Sequence, residues 1–215
     1  YSGNEKKVLR VGNLLKERDL MMGYSFGEKV LKNHPLLTLG MNPGIPESRI
    51  SNGFDDLHNQ FRNNRVYINT TVDGFEDGYN LAMLEAMATG MPVVTSKNKT
   101  SPICDGVNGF SSNDPDHLNR CIENLMQDPV LAKEMGEEAR KTVAEKFSIN
   151  KFIQSWSRGV ELSINDFLKR TGIDLQGDAT PFAEKSRKNI LMDFVSYPAT
   201  TAHYMERALR QNHNV

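Results

Sequence analysis

The feature that most constrains the fold of this chain is an alternation of short apolar runs with helical segments over its first half. Four runs rich in Val, Leu, Ile or Thr lead into polar or glycine-containing turns, and they read "VLRV", "LLTL", "RVYINTT" and "PVVTS". Short apolar runs of this kind, separated by helices, are typical of buried parallel strands. The pattern therefore predicts an α/β fold with a Rossmann-like doubly wound parallel sheet.

Helices are expected between these strands. One is predicted from about Met21 to Lys32, a second in "FDDLHNQFRNN", and a third from Asn80 to Thr89. The third ends at Gly90 and Pro92, residues that stop a helix.

The second half of the chain, after the turn "CDGVNGF", is predicted to be helical. Two helices begin with Asp-Pro, at Asp114 and Asp128, which combines an N-cap with a proline at the first helical position. Ser148 can cap a third, long helix. We predict a Rossmann-like domain with its closing helices over residues 1–170, then a linker and helical tail over residues 171–215. The two tail helices are expected at about 181–195 and 198–211.

The composition excludes several classes of protein. The chain has 26 basic and 27 acidic residues, so no overall positive field favours nucleic acid. No apolar run approaches the roughly 18 residues of a membrane span, and no signal peptide is recognisable. We expect a cytoplasmic protein, with peripheral contact to the inner face of a membrane left open. Cys104 and Cys121 are expected to be reduced and buried.

The stretch "GFEDGYNLAMLEAMATGMPVVTS" carries the chemistry, because Glu85 places a carboxylate in an otherwise apolar helix. In doubly wound sheets, ligands bind beyond the carboxyl ends of the strands, where helix N-termini offer N–H groups. Gly78 would let the backbone approach a bound diphosphate closely. Asp77 and Glu85 could hold two sets of hydroxyls on one ligand. A solvated Glu85, with Asp77 merely favouring the helix dipole, is the alternative.

This stretch resembles the donor-binding signature of retaining glycosyltransferases of the GT-B fold, of the large family-4 type. That signature reads E-G-F-G-x-x-x-x-E followed by A-x-x-x-G-x-P-V-V, and here "DGYNLAMLEAMATGMPVVTS" matches it with Asp77 in place of the first Glu. "DGVNGF" and "VAEKFSINKFIQSW" also resemble that family. The resemblance runs from about Val8 to Trp156, and it identifies the chain as similar to the C-terminal, donor-binding half of such an enzyme.

The resemblance implies a role for each matching residue. Asp77 and Glu85 would be the catalytic pair, with Glu85 on the ribose hydroxyls and Asp77 on the donor sugar. The other donor-binding candidates form two groups. Those that would lie against the diphosphate and the sugar are Gly78, Tyr79, Asn80 and Leu81. Those that would lie beside the base are Asn52, Gly53 and Phe54. Transfer would retain configuration and would need no metal and no cofactor, because basic side chains and backbone dipoles stabilise the leaving diphosphate.

The phosphate clamp departs from the family pattern. The family reads G-R-L-x-x-x-K after the first strand, whereas "GNLLKER" puts Asn13 at the Arg and Arg18 at the Lys. Lys99 or Lys16 could supply the missing charge, and the alternative is that these lysines are ordinary surface residues.

The resemblance also implies partners. The substrate would be a nucleotide-diphosphate sugar, and the acceptor site would lie on a missing N-terminal domain, so the isolated half is expected to be inactive. Homo-oligomerisation through the helical tail is a further expectation. A different class remains open, a degenerate GT-B half-domain that binds a partner or serves as a regulatory module. A dinucleotide oxidoreductase is disfavoured because no G-x-G-x-x-G follows the first strand.

Overall fold

The computed structural model describes residues 1–32, 34–75 and 80–172. The chain divides into two compact units, Tyr1–Gln154 and a second that begins at Ser155. The predicted tail helices at 181–195 and 198–211 lie outside the described residues. The domain boundary after residue 170 therefore stays a prediction.

The core of the first unit is a parallel sheet, as the sequence predicted. The described residues contribute five strands in the order β2-β1-β3-β4-β5. Their bounds are β1 Glu5–Val11, β2 Leu36–Leu39, β3 Asn64–Asn69, β4 Val93–Thr95 and β5 Phe110–Ser111. Each neighbouring pair runs parallel, which confirms the Rossmann-like architecture.

Helices connect the strands and continue beyond them. Their bounds are α1 Asp19–Met22, α2 Tyr24–Leu31, α3 Gly53–Asn63, α4 Leu81–Ala88, α5 Pro115–Gln127, α6 Pro129–Lys146 and α7 Ile149–Thr171. The predicted helices around α3, α4, α5, α6 and α7 are confirmed, and α7 forms the described part of the helical extension.

Side-chain alternation along the strands places one apolar cluster on each face of the sheet. Val8 and Val66 pack with residues of α2 and α5, whereas their neighbours Leu9 and Tyr67 pack with residues of α3, α4 and α6. Successive side chains of a strand point to opposite faces, so a strand buried on both sides needs a continuous apolar run. This explains why the strand sequences show no polar alternation.

The predicted N-caps are confirmed. The side chain of Asp114 accepts a hydrogen bond from the backbone N of Asp116, and Asp128 accepts from the N–H groups of Val130 and Leu131. Ser148 Oγ accepts a longer bond of 3.4 Å from the backbone N of Lys151. These short polar side chains satisfy backbone donors that a helix leaves unpaired at its start.

The single helix predicted from Met21 to Lys32 is wrong, because Gly23 interrupts it between α1 and α2. Gly23 adopts a left-handed φ of +59°, and a Cβ there would lie 2.2 Å from the carbonyl oxygen of Thr70. Thr70 Oγ1 also donates to the carbonyl of Met22 at 2.8 Å. The loop after β3 therefore packs against Gly23, the residue at which the helix is interrupted.

Two further expectations need correction. The turn predicted around "CDGVNGF" ends in the short strand β5, which is recognisable only through its parallel pairing of Phe110 with Val94. Cys121 is buried, but Cys104 is exposed in the loop that precedes β5, so its predicted burial is wrong.

Helix α7 carries a series of exposed apolar side chains. Their exposed fractions range from 40% to 60%, and the residues are Ile149, Phe152, Ile153, Trp156, Val160, Leu162, Ile164 and Phe167. Within the described ranges, no helix combines the length and the apolar character needed to cross a bilayer.

Candidate functional site

The strand order places a ligand crevice beside β1. The connection from β1 leads to β2 on one side, and the chain then crosses to β3 on the other side of β1. Parallel sheets bind ligands at such a topological switch point, outside the carboxyl ends of the strands. The loop after β3 contacts α1, the short helix that follows β1, since the backbone N of Val72 donates to the carbonyl of Met21 at 2.9 Å.

The loop after β1 is joined to the loop after β2 by side-chain amides. Asn13 Oδ1 accepts from the backbone N of Met41 at 2.8 Å. Asn42, which is buried, accepts from the backbone N of Leu15 at 2.9 Å and donates to the carbonyl of Gly12 at 2.9 Å. The loop is therefore held rigidly, and the oxygen of Asn13 is already engaged.

The backbone of this loop is strained at Leu14. Its φ of +52° lies in the left-handed region, which is uncommon for a residue with a branched side chain. Its N–H donates to the carbonyl of Met41 at 2.9 Å, and this bond helps to hold the conformation. Such strain concentrates at sites where a loop must present its backbone in one arrangement.

Arg18 lies at the end of this loop, immediately before α1, and its side chain is exposed. The contact that the structure gives its guanidinium is a weak one, with Nη2 at 4.0 Å from Met21 Sδ. A guanidinium that makes no ion pair within the described residues retains its charge for an external anion.

A buried amide, Asn69, organises the carboxyl end of β3. Its Oδ1 accepts from Thr71 Oγ1 at 2.9 Å and from Asn80 Nδ2 at 3.3 Å. Asn80 is also the N-cap of α4, and its own Oδ1 accepts from the backbone N of Met83 at 2.8 Å. We call Asn69, Thr71 and Asn80 the Asn69 network. The network fixes the start of α4 against the ligand edge of the sheet.

Two backbone N–H groups at the start of α4 have no partner among the described residues. The cap uses the N–H of Met83, whereas the N–H groups of Leu81 and Ala82 form no hydrogen bond with any residue that the structure describes. Leu81 is also exposed. Helix N-termini with free N–H groups bind anions, because the donors and the partial positive charge point the same way.

Glu85 lies one turn further along α4 and is half-buried. Burial raises the pKa of its carboxyl, and the nearby charge of His58 lowers it in part. Within residues 1–32, 34–75 and 80–172, the carboxylate has no hydrogen-bond partner. Partial burial of an unpaired carboxylate costs stability. The arrangement is typical of a group kept for a ligand.

The predicted base-side residues lie at the start of α3. Asn52 precedes the helix, and Gly53 has a left-handed φ of +80° with open space around the position of a Cβ. Asp56 accepts from the backbone N of Asn52 at 2.8 Å and pairs with Arg49 at 2.6 Å. The bond from Arg49 lowers the pKa of Asp56 well below its usual range. These bonds fix the turn that leads into α3.

Phe54 and His58 complete this part of the site. The two rings lie one helical turn apart on α3, with centroids 4.2 Å apart and planes at 65°. Phe54 is partly exposed, at 45%. The electrostatic interaction with His58 that partly lowers the pKa of Glu85 links this helix with the α4 carboxylate.

Lys99 lies in the loop after β4, on the same edge of the sheet. Its backbone N donates to Asp73 Oδ1 at 3.0 Å, and its Nζ lies 3.6 Å from Asp73 Oδ2. Its side chain is 89% exposed, so the ion pair with Asp73 is weak.

Three predicted residues, Asp77, Gly78 and Tyr79, lie outside the described residues. Their assignment to the donor sugar and the diphosphate stays a prediction.

Sequence reasoning missed His58, Asn69 and Asn42. Nothing in the sequence connects His58 electrostatically with Glu85, because the two residues lie on different helices. Asn69 and Asn42 did carry a signal, since each is an amide at or just after the end of a strand. Amides at strand ends commonly pair with loop backbone.

Comparison with known proteins identifies relatives. Residues 26–128 match the family described as glycosyl transferases group 1. The chain is 29% identical over 150 residues to "Putative glycosyltransferase EpsD" of Bacillus subtilis, an alignment that covers 67% of this chain and 38% of the relative. The chain thus spans well under half the length of this curated relative.

Solved structures show the same fold. HepE of Anabaena in complex with UDP-glucose gives a TM-score of 0.60 at 16% identity, covering 74% of this chain and 49% of HepE. TarM of Staphylococcus aureus, in a complex that includes UDP, gives a TM-score of 0.57 at 20% identity, covering 74% of this chain and 36% of TarM.

Proposed function

We propose that this chain, which carries a group 1 glycosyltransferase domain in the fold of a C-terminal GT-B half, binds the nucleotide-diphosphate-sugar donor of a sugar transfer that retains configuration. The observation that carries the proposal is the half-buried carboxylate of Glu85, which has no hydrogen-bond partner within the described residues. A ribose would supply two hydroxyl donors to it, and a carboxylate accepts both at once.

The diphosphate is proposed to lie at the start of α4. The N–H groups of Leu81 and Ala82, which bond to no residue that the structure describes, and the partial positive charge of the helix support this position. Arg18 and Lys99 come from neighbouring loops at the same edge, and each would add positive charge near the leaving group. Asp77 is proposed to hold the hydroxyls of the donor sugar.

Catalysis in this proposal rests on fixed charges and dipoles. The leaving diphosphate gains negative charge as the glycosidic bond breaks, and preorganised donors stabilise that charge most effectively. A metal-independent reaction and an acceptor site on a separate domain remain parts of the proposal. TarM was solved in a complex that includes UDP and HepE in a complex with UDP-glucose, which makes UDP the first ligand to try.

The test is the melting temperature of the chain with UDP, ADP, GDP and CDP. A ligand at a hundred times its dissociation constant stabilises the folded state by about 2.7 kcal/mol. We expect one nucleotide to raise the melting temperature of the wild type and to leave that of Glu85→Ala unchanged. Glu145→Ala, which removes an exposed glutamate from α6, is the matched control and should respond like the wild type. A Glu85→Ala protein that responds fully would contradict the proposed site.

A second candidate is a degenerate half-domain that binds a protein partner. The observation that favours it is Asn13, which stands at the arginine position of the phosphate clamp and uses its oxygen to bind Met41. This candidate predicts that none of the four nucleotides changes the melting temperature. Dimerisation of the wild type, measured by analytical ultracentrifugation, would support it further.

A further inference from the structure

A short helical turn carries Arg18 to the ligand edge of the sheet. The bond that closes this turn runs from the backbone N of Arg18 to the carbonyl of Leu14 at 2.9 Å. A single turn gains too few hydrogen bonds to offset the conformational entropy of ordering it. The left-handed φ of +52° at Leu14 adds backbone strain. The turn therefore depends on contacts from elsewhere in the chain.

The loop after β2 supplies these contacts. Asn42 Oδ1 accepts from the backbone N of Leu15 at 2.9 Å, and Asn42 Nδ2 donates to the carbonyl of Gly12 at 2.9 Å. Further along the turn, Glu17 Oε1 accepts from the backbone N of Gly44 at 3.0 Å. Asn42 is buried, so the loss of its amide would leave the two backbone groups without water as a substitute. The loop after β2 thus bonds to the start and to the end of the turn.

The loop after β2 is rigid enough to impose this arrangement. Pro43 and Pro46 each fix one backbone dihedral angle. The hydroxyl of Ser48 lies within hydrogen-bonding distance of two carbonyls of the same loop, at 2.8 Å from that of Ile45 and at 3.2 Å from that of Asn42. Internal bonds of this kind hold the amide of Asn42 in place.

The position of the turn decides where the Arg18 guanidinium can reach. The side chain is exposed, and its guanidinium contact among the described residues is a weak one, at 4.0 Å from Met21 Sδ. The carbonyl of Met21 accepts from the backbone N of Val72, in the loop that leads from β3 towards α4. A guanidinium binds a phosphate through two parallel N–H groups, which requires a defined orientation. The backbone beneath Arg18 must therefore be held in place.

We propose that Asn42 and Glu17 are positioning residues, which hold the turn before α1 so that the Arg18 guanidinium faces the terminal phosphate of a bound nucleoside diphosphate. The inference rests on the proposed function, since it needs a diphosphate at this edge. It gives the loop after β2 a role in discriminating diphosphates from monophosphates. It also gives Asn13 a role that needs no positive charge, since Asn13 Oδ1 accepts a bond from the same loop.

The experiment compares the affinities of a nucleoside diphosphate and of the matching monophosphate. UDP, ADP, GDP and CDP are each titrated into the full chain by isothermal titration calorimetry, and the tightest ligand is then compared with its monophosphate. The variants are Arg18→Ala, Asn42→Ala and the double variant. Asn108→Ala is the matched control, because Asn108 is a similarly buried amide that bonds to Cys104 and Thr142 instead.

We expect Arg18→Ala to weaken binding of the diphosphate about tenfold, the effect of losing a hydrogen bond between charged groups. Binding of the monophosphate should not change, because it lacks the phosphate that Arg18 receives. Asn42→Ala should cause most of the same loss for the diphosphate and none for the monophosphate. In the Arg18→Ala background, Asn42→Ala should have no further effect. Asn108→Ala should leave the ratio of the two affinities at the wild-type value.

Glu17 gives a second test, which holds even if the loss of the buried Asn42 amide unfolds the protein. Glu17→Gln and Glu17→Ala both remove the negative charge, but only glutamine keeps an oxygen that can accept from Gly44. We expect Glu17→Ala to bind the diphosphate about threefold more weakly than Glu17→Gln, the effect of losing one hydrogen bond. The two variants should bind the monophosphate equally.

Other outcomes overturn the inference. Equal weakening of diphosphate and monophosphate binding by Asn42→Ala would mean that Asn42 has only a structural role. Equal diphosphate affinities of the two Glu17 variants would remove Glu17 from the positioning pair. Unchanged diphosphate affinity of Arg18→Ala would overturn the inference and leave the proposed function intact. A wild type that binds none of the four nucleotides would overturn the proposed function and this inference together.

Discussion

The side-chain amide of Asn80 donates from Nδ2 to Oδ1 of Asn69 at 3.3 Å, and this bond joins the N-cap of α4 to the carboxyl end of β3. The two residues form a polar link between the sheet and the helix that carries Glu85. Because Asn69 is buried, its oxygen has no water to replace a lost protein partner.

Asn69→Leu keeps the approximate volume of the side chain and removes the acceptor. Thr71 and Asn80 would lose their shared partner, and we expect the free energy of unfolding to fall by about 1–3 kcal/mol in urea titrations. Nucleotide binding should weaken as well, because the start of α4 is no longer fixed. Asn119→Leu is the control, since Asn119 donates to the carbonyl of Val30 on the opposite face of the sheet. Equal nucleotide affinity in Asn69→Leu and the wild type would refute the positioning role.

Glu85→Gln should stabilise the free protein at pH 7. Burial raises the pKa of Glu85 above its ordinary value of 4.5, so folding favours the protonated form. The ionised carboxylate lowers the free energy of unfolding. This loss is absent well below pH 4.5 and is complete once the pH exceeds the raised pKa. The melting temperature of Glu85→Gln should therefore exceed that of the wild type at pH 7 and approach it at pH 4. Glu145→Gln, on the surface of α6, should change neither value. A lower melting temperature for Glu85→Gln at pH 7 would show that the carboxylate contributes to stability.

Gly136→Ala should destabilise the protein although alanine favours helices. A Cβ at Gly136 would lie 1.9 Å from the carbonyl oxygen of Gly90, so α6 and the turn after α4 would have to separate. We expect a loss of about 3 kcal/mol in the free energy of unfolding, as for other overpacked contacts. Gly159→Ala in α7 is the matched control, because a Cβ there meets nothing within 4 Å. It should gain up to about 1 kcal/mol of helix stability, read as increased helicity by circular dichroism. A neutral Gly136→Ala would mean that the two segments separate at little cost.

Arg65→Ala should be strongly destabilising. This buried guanidinium donates from Nε to the carbonyl of Gly3 at 2.6 Å and from Nη1 to the carbonyls of Leu125 and Met126, each at 3.2 Å. The last two carbonyls lie at the C-terminus of α5, where a positive charge is favourable. We expect a loss of about 3 kcal/mol in chemical denaturation, because three buried acceptors lose their donor. Arg62→Ala, an exposed arginine at the end of α3, should cost less than about 0.5 kcal/mol. Similar losses for both variants would argue against this role of Arg65.

Much of the fold was predictable because its rules are local. Apolar runs such as Val93–Thr95 need no partner to be recognised as strands, since their composition and length already favour burial in a parallel sheet. Asp114 and Asp128 identify their helix starts because a cap bonds to residues only two or three positions away. The parallel sheet and the GT-B resemblance were both predicted from such local patterns, and both are confirmed.

The candidate site was predictable only in part. Glu85 attracted attention because a carboxylate in an apolar helix is unusual, and it lies at a half-buried position as that prediction requires. The predicted roles of Asp77, Gly78 and Tyr79 stay predictions. The effect of His58 on Glu85 had no signal in the sequence, because the two residues lie on different helices.

The sequence by itself determined where strands and helices form, how several helices begin, and which stretch carries a carboxylate for a ligand. These properties depend on neighbours within a few residues. The tertiary structure alone decided that Gly23 breaks a helix, that Asn69 holds Asn80, and that burial raises the pKa of Glu85. Each of these depends on contact between segments that are distant in the chain, and only the packed sheet brings such segments together.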